Sequence, residues 1–219
     1  MGDDDRDFES LWKKSDSLRS WSVADDEVRG LIPRLRKEKR SRVLDLGFGL
    51  GRHVVLFAGE GFATSGIEPA ASGYRHCSRW LKSQNLEADI RQGDMLQLPF
   101  GDGEFDFVLC YNVIYHATLG DMESALREIH RVLRKTGLLF ITLNSTRNEW
   151  CGKGTEVEPY TFVNPEKGDG GHEHHYSDGE EVQRLLAGWK VVRLREEEQT
   201  LAGQVYRGAW HWTILARKP

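Results

Sequence analysis

The stretch Val43-Leu44-Asp45-Leu46-Gly47-Phe48-Gly49-Leu50-Gly51-Arg52-His53 decides how the rest of the chain is read. Its first four residues form a short apolar run of the kind that makes a strand buried in a sheet. Three glycines at alternate positions then supply a turn in which positive φ carries no Cβ penalty and a ligand can approach the backbone. The residues after Gly51 read as a helix start, whose first N–H groups have no partner inside the helix. Strand, glycine turn and helix in that order point to a ligand site beyond the carboxyl end of the first strand of an α/β sheet.

The pattern outward from this stretch repeats. Strands are expected over 42–46, 62–67, 88–92, 105–111 and 137–143, and helices over 51–59, 70–83 and 121–134. In the last helix Ala125, Leu126, Ile129, Val132 and Leu133 share one side. Such βαβ grammar implies a parallel sheet covered on both faces. The tail breaks it. Residues 144–177 are polar and glycine-rich, too long for a simple connection. A helix over 178–187 precedes two strands, 189–195 and 208–216, with no helical pattern between them, so these pair as an antiparallel hairpin. The expected fold is therefore α/β and doubly wound, with seven strands, mostly parallel, and a C-terminal antiparallel hairpin. Before the first strand, residues 1–41 read as two helical pieces. Phe8, Leu11, Trp12 and Leu18 make the apolar face of one; Val28, Leu31, Ile32 and Leu35 make that of the other, with Pro33 near its start or kinking it. The basic run from Arg34 to Arg42 is read as a solvated helix end.

Composition narrows the class. The chain has 219 residues, 29% of them charged, with a net charge of −4, which argues against a broad nucleic-acid footprint. No apolar run approaches the ~18 residues of a membrane helix, and the acidic start lacks the apolar stretch of a signal peptide. Cys77, Cys110 and Cys151 are odd in number and widely spaced, as reduced thiols of a cytoplasmic protein would be. Neither a membrane nor a nucleic-acid partner is expected.

Carboxylates stand at the ends of successive strands: Asp45, Glu68 and Asp94. Each alone reads equally well as a cap or turn residue; together they suit a nucleotide-like ligand. A carboxylate at Glu68 can accept from two ribose hydroxyls, and Asp94 can accept from an adenine amine while Met95 packs on the ring. A dinucleotide is disfavoured. The third position of the G-x-G-x-x-G spacing is Arg52 counted from Gly47 and Val54 counted from Gly49, and neither is small.

At this point the chain resembles the class I S-adenosylmethionine-dependent methyltransferases, in the style of the small methyltransferase-domain and tellurite-resistance types. The residues that carry the resemblance are 43–53, Gly66-Ile67-Glu68, Gly93-Asp94-Met95, Leu98-Pro99-Phe100, Phe105–Val108, Asn112–His116 and Glu128–Leu133. The resemblance implies a Rossmann-like sheet, S-adenosyl-L-methionine as cofactor and S-adenosyl-L-homocysteine as product. It also implies a cofactor-binding set of Asp45, Gly47, Phe48, Gly49, Glu68, Pro69, Asp94, Met95 and Asn112, with Asp45 and the glycine turn at the methionine end and Asn112 beside the transferring methyl. Residues 1–41 would be a helical lid segment on a methyltransferase domain spanning 42–219, and 144–177 an insertion on the substrate side. Phe48 stands where the family has a small residue, so it either narrows the site or packs outward.

Displacement at a sulfonium needs chiefly alignment, and a base only if the acceptor must lose a proton. His116 is the candidate base, the alternative being a His bonded within its own turn. The stretch Gly171-His172-Glu173-His174-His175-Tyr176 has adjacent residues that cannot converge on one ion, so no metal is expected and a substrate-contacting loop is preferred. Tyr115, His174, His175 and Trp12 are the expected substrate-lining residues. His53 is read as capping its turn, and His211 as structural. The seven tryptophans, with Trp12, Trp21 and Trp150 in segments expected over the cofactor, suit a small, partly apolar methyl acceptor, on a monomer or homodimer. The competing readings are a module that binds the cofactor without turnover and a protein or RNA methyltransferase.

Overall fold

Each run read as a strand finds its neighbour in one sheet. The computed structural model describes residues 21–167, 171–201 and 203–219. Within them the order of elements is helix α1 (Asp26–Lys37), β1 (Arg42–Leu46), α2 (Arg52–Gly59), β2 (Ala63–Glu68), α3 (Ala71–Ser83), β3 (Asp89–Gln92), β4 (Phe105–Cys110), α4 (Leu119–Val132) and β5 (Leu133–Ser145). Then come β6 (Thr155–Glu158), β7 (Thr161–Val163), a short 3₁₀ turn, β8 (Glu173–Ser177), α5 (Gly179–Leu185), β9 (Lys190–Leu201) and β10 (Gln204–Arg217). The strands β3-β2-β1-β4-β5 are parallel neighbours in that order. β10 runs antiparallel beside β5, and β9 antiparallel beside β10. This is the expected seven-stranded arrangement.

Alternation along the central strands feeds two cores. Leu44, Leu46, Val108 and Cys110 face Met122, Ala125, Ile129 and Val132 of α4. Val43, Phe107 and Leu109 face Val28, Leu31, Ile32 and Leu35 of α1 and Phe57 of α2. β4 is buried along its whole length, as a central parallel strand covered on both faces must be.

Three differences from the sequence reading have physical causes. The 144–177 insertion contains three strands that the sequence reading did not place. β8 joins β5 through Asn144↔Tyr176 and Ser145↔Ser177, and β7 and β6 extend it antiparallel. Runs of three to five residues are too short for alternation to be read. Pro33 lies inside α1, at the cost of one backbone bond, while the Asp25 carboxylate caps the start by accepting from the Glu27 N–H at 2.9 Å. The terminal hairpin strands are also longer than expected, because β9 is an edge strand and carries its charged residues Glu196–Glu198 within the ladder. The helical piece expected around Phe8 and Trp12 lies outside the described residues.

Candidate active site

The turn after β1 is built by its glycines. Gly51 has φ +90°, and a Cβ there would sit 2.2 Å from Cys77 Sγ; at Gly47, φ +68°, it would sit 2.5 Å from the Val113 methyls. The Gly47 and Phe48 amides both donate to the Ile67 carbonyl, tying the turn to the end of β2. The Phe48 ring packs with Val54, Cys77 and Leu81, where only the absence of a side chain at Gly66 leaves room for it. Of the two placements open to it, the ring takes the one in this cluster.

The three carboxylates sit at the carboxyl ends of β1, β2 and β3 and all border one cavity of about 520 Å³. Glu68 is buried and holds two backbone amides, Oε2 accepting from Gly49 N at 2.8 Å and Oε1 from Ala70 N at 3.1 Å. Asp94 is exposed and accepts from Leu96 N at 2.5 Å, and Met95 is half-buried against the α4-side core. Asp45 is 2% exposed, and its Oδ2 has no hydrogen-bond partner among the described residues. Burial pushes its pKa from 3.8 up to about 8; the Glu68 charge adds to the rise, while Arg52 and the Val54 N–H oppose it.

Asn112 follows β4 with φ +59°, a left-handed conformation that asparagine tolerates. Its N–H donates to Thr142 Oγ1 at 2.7 Å, and the same hydroxyl donates to its Oδ1 at 3.0 Å. The amide is thereby oriented, and Nδ2 is buried with no partner among the described residues. Pro69, Gly47, Gly49 and Asn112 all border the cavity.

Further along the sheet, toward β5 and β10, the cavity wall is made of rings and amides. Tyr115 and His116 come from the segment after β4, Asn144 from the end of β5, His174 from β8 and His211 from β10. The His116 ring lies 4.7 Å from that of Tyr115 and meets His174 edge-on at 4.5 Å; Tyr115 lies 5.6 Å from His211. His174 Nδ1 is 3.0 Å from the His172 carbonyl and His211 Nδ1 is 2.9 Å from the Ala209 carbonyl. A carbonyl only accepts, so each Nδ1 carries its proton.

Two expectations need correction. His175 does not line the cavity. It neighbours His174 on β8 and so points to the other face, where it is 1% exposed between Thr161 Oγ1 (2.7 Å) and Glu181 Oε1 (2.6 Å). His53 does not cap its own turn. Its Nε2 accepts from Asp25 N at 3.2 Å, and burial, reinforced by the Arg52 charge, holds its pKa well below the ordinary 6.5. Trp12 lies outside the described residues.

Sequence reading passed over Asn144, Asn148 and Arg52, and it read His211 as structural; all four border the cavity. Asn144 and Asn112 each stand at the carboxyl end of a strand or just past it, and that shared placement is the signal that would have found Asn144. Arg52 lies 4.8 Å from the Trp21 ring centre and 5.5 Å from that of Tyr111, and the Tyr111 hydroxyl donates to Asp25 Oδ2 at 2.8 Å. These contacts hold residues 21–25 at the cavity, with Trp21 and Trp150 on its border.

The family described as Methyltransferase domain matches residues 44–141, the span from β1 into β5. A methyltransferase-named protein of Encephalitozoon cuniculi is 30% identical over 158 residues, 68% of this chain and 75% of that one. The chain spans only about half the length of several other curated relatives. A structure of S-adenosylmethionine-dependent methyltransferases from Methanosarcina mazei superposes with a TM-score of 0.70 at 20% identity, covering 82% of this chain and 92% of that one. The 1,6-didemethyltoxoflavin-N1-methyltransferase of Burkholderia thailandensis, solved with bound 1,6-didemethyltoxoflavin and S-adenosylhomocysteine, superposes with a TM-score of 0.65 at 19% identity over 97% of this chain and 82% of that one. The ordered turn, the strand-end carboxylates and the relative matched over three quarters of its length place the chain in the class I S-adenosylmethionine-dependent methyltransferase family, with S-adenosylmethionine as its cofactor.

Proposed function

We propose that this chain methylates a small-molecule acceptor, with the cofactor held by the β1–β3 side of the cavity and the acceptor by the β4–β5–β10 side. The observation that carries the reading is the division of one continuous cavity into a side that bears Asp45, Arg52, Glu68 and Asp94 and a side of rings and carboxamides. The first side fits the cofactor. Asp45 Oδ2 and Asn112 Nδ2 are buried polar atoms with no partner among the described residues, an acceptor and a donor that an amino-acid zwitterion satisfies together. The Glu68 carboxylate ends β2 on the border of the cavity, a placement that suits vicinal hydroxyls.

When bound, S-adenosylmethionine supplies a methyl on a positively charged sulfur, which an acceptor lone pair takes while sulfur keeps the bonding electrons. The protein then has three tasks. Asp45, Glu68 and the turn fix one partner in place. The wall from Tyr115 to His211 fixes the other, and alignment of the two is the larger part of the acceleration. His116 takes the proton that an O–H or N–H acceptor loses, and passes it to water. Trp150 and His174, both from the insertion, border the cavity and support its assignment to the substrate side. The segment before β1 is assigned as a cover over the cofactor, on the contacts of Arg52 with Trp21 and with the Val23 carbonyl.

Calorimetric titration with S-adenosylhomocysteine tests the cofactor half: micromolar binding is expected, and none at millimolar ligand would defeat it. Mass analysis of a small-molecule pool incubated with S-adenosylmethionine tests the rest. A methylated product made by the wild type and suppressed in His116→Asn is expected. Methylation confined to protein or RNA added to the same mixture would overturn the acceptor class.

A further inference from the structure

The wall formed by β4, β5, β8 and β10 says more about the acceptor than its size. Among its described residues the wall carries no carboxylate, ammonium or guanidinium of its own: of the charged side chains bordering the cavity, Asp45, Glu68 and Asp94 stand on the β1–β3 side, and the Arg52 guanidinium, from α2, is taken up by the Trp21 and Tyr111 rings and the Val23 carbonyl. An anionic acceptor would find no counter-charge there, and a cationic one no carboxylate to offset its desolvation. What the wall offers is flat surface: the rings of Tyr115, His116, His174 and His211, with centroids 4.5 to 6.2 Å apart. The rings pack on one another at these distances, and an aromatic wall favours offset or edge-on contact with another planar group.

Within this wall one polar group is out of balance. Asn144 is 1% exposed and stands directly opposite His211 in the β5–β10 ladder, so the two side chains share a face. Its Nδ2 is buried without a hydrogen-bond partner among the described residues, although the residue borders the cavity. Native structures rarely leave a buried amide N–H unmade, because its desolvation is then uncompensated. A ligand atom that accepts from it is the simplest completion.

We infer, building on the methyl-transfer reading above, that the acceptor is an uncharged, planar aromatic or heteroaromatic molecule whose ionisable O–H or N–H lies beside a ring nitrogen or carbonyl, and that Asn144 is the specificity-determining residue that donates to that atom. The ring wall sets the plane of the acceptor; the Asn144 amide sets its rotation within that plane. Fixing both aims one lone pair at the methyl and leaves the neighbouring O–H or N–H to a base in the same wall. A site built to hydrogen-bond a ligand atom rejects analogues that lack it far more strongly than an apolar site rejects an extra methylene.

The test uses the full chain saturated with S-adenosylhomocysteine, titrated calorimetrically with 2-hydroxyquinoline and 2-hydroxypyridine as probes, and with cyclohexanol and benzoate as aliphatic and anionic counterparts. Binding of at least one planar probe is expected, with at least tenfold weaker binding of cyclohexanol and benzoate. In Asn144→Leu that probe should weaken at least tenfold, while S-adenosylhomocysteine affinity stays within twofold. The latter also reports that the variant is folded, and Asn144→Ser is the second variant should Asn144→Leu fail that check. Failure of both planar probes to bind, equal binding of cyclohexanol or benzoate, or undiminished probe binding by the Asn144 variant would overturn the inference. Loss of S-adenosylhomocysteine binding by the wild type would instead defeat the cofactor reading on which it stands.

Discussion

Asp45→Asn should make the protein more stable and worse at holding its cofactor. Burial raises the Asp45 pKa from 3.8 to about 8, with the Glu68 charge pushing the same way. Between those values the folded chain keeps a proton that the unfolded chain releases, so this group's contribution to stability falls as pH rises through the window. At pH 7, some three units above the ordinary value, the deficit is at most roughly 4 kcal/mol at about 1.4 kcal/mol per unit. Water in the cavity reduces it, and about 2 kcal/mol is a reasonable working figure. Asparagine keeps the shape and still accepts from the Val54 N–H, but it carries no charge to desolvate. For a chain of this size a gain of that order raises Tm by about 4–8 °C.

His53 works in the opposite direction. Its folded pKa is depressed by burial, so its contribution is present above about 6.5 and lost as pH falls below it. A comparison of wild type and Asp45→Asn by differential scanning calorimetry between pH 6.5 and 8.5 therefore isolates Asp45. The wild type should lose stability toward the upper part of its titration range, the variant should not, and the variant's S-adenosylhomocysteine affinity should drop at least tenfold. An Asp45→Asn protein no more stable than wild type at pH 7.5, or with the same pH slope, would refute the reasoning that this carboxyl is held uncharged until a ligand arrives.

Gly51→Ala places a Cβ 2.2 Å from Cys77 Sγ at φ +90°, and should cost about 3 kcal/mol or more by thermal unfolding; adding Cys77→Ala should recover only part, because that residue's Cβ would still lie at 2.7 Å. Glu68→Gln leaves one acceptor oxygen for the two amides of Gly49 and Ala70, so S-adenosylhomocysteine should bind at least tenfold more weakly in calorimetry, a loss of about 1.4 kcal/mol or more. His175→Phe removes the imidazole partner of Glu181 Oε1 in a buried site and leaves Thr161 Oγ1 only its bond to Glu158, which should lower stability by about 2–4 kcal/mol in denaturant titration. Because His175 does not border the cavity, its loss should leave cofactor affinity unchanged at temperatures where the variant is folded.

The parts of this molecule that were legible from the chain are those in which one short segment does the work. The glycine turn, Glu68 after β2 and Asp94 after β3 each announce themselves locally, because a parallel sheet brings the carboxyl ends of β1 to β4 to one edge whatever lies between them. The acceptor wall is different in kind. Tyr115, Asn144, His174 and His211 are separated by roughly thirty residues at each step, and they meet only because β10 inserts beside β5 while β8 attaches to its end. In the His172–His175 stretch alternation puts His172 and His174 on one face, but expecting both His174 and His175 to line the substrate ignores it; that β8 is a strand sends His174 to the cavity and His175 to Glu181.

That division bears on how acceptor choice is encoded. The cofactor side rests on β1, β2, β3 and the turn, whose φ values and close contacts leave little room for substitution. Asn148, Trp150 and His174, by contrast, come from the connection after β5, and His211 from a hairpin strand whose partner β9 is itself an edge. These elements can change length and composition without disturbing the packing of β1 against β2 and β4. On the proposed reading, exchanging the connection over residues 146–177 for that of another family member should therefore alter which planar probe binds while S-adenosylhomocysteine affinity stays the same. A chimera that lost cofactor binding while remaining folded would show instead that the two sides of the cavity are coupled through Asn112 and its bond to Thr142 on β5.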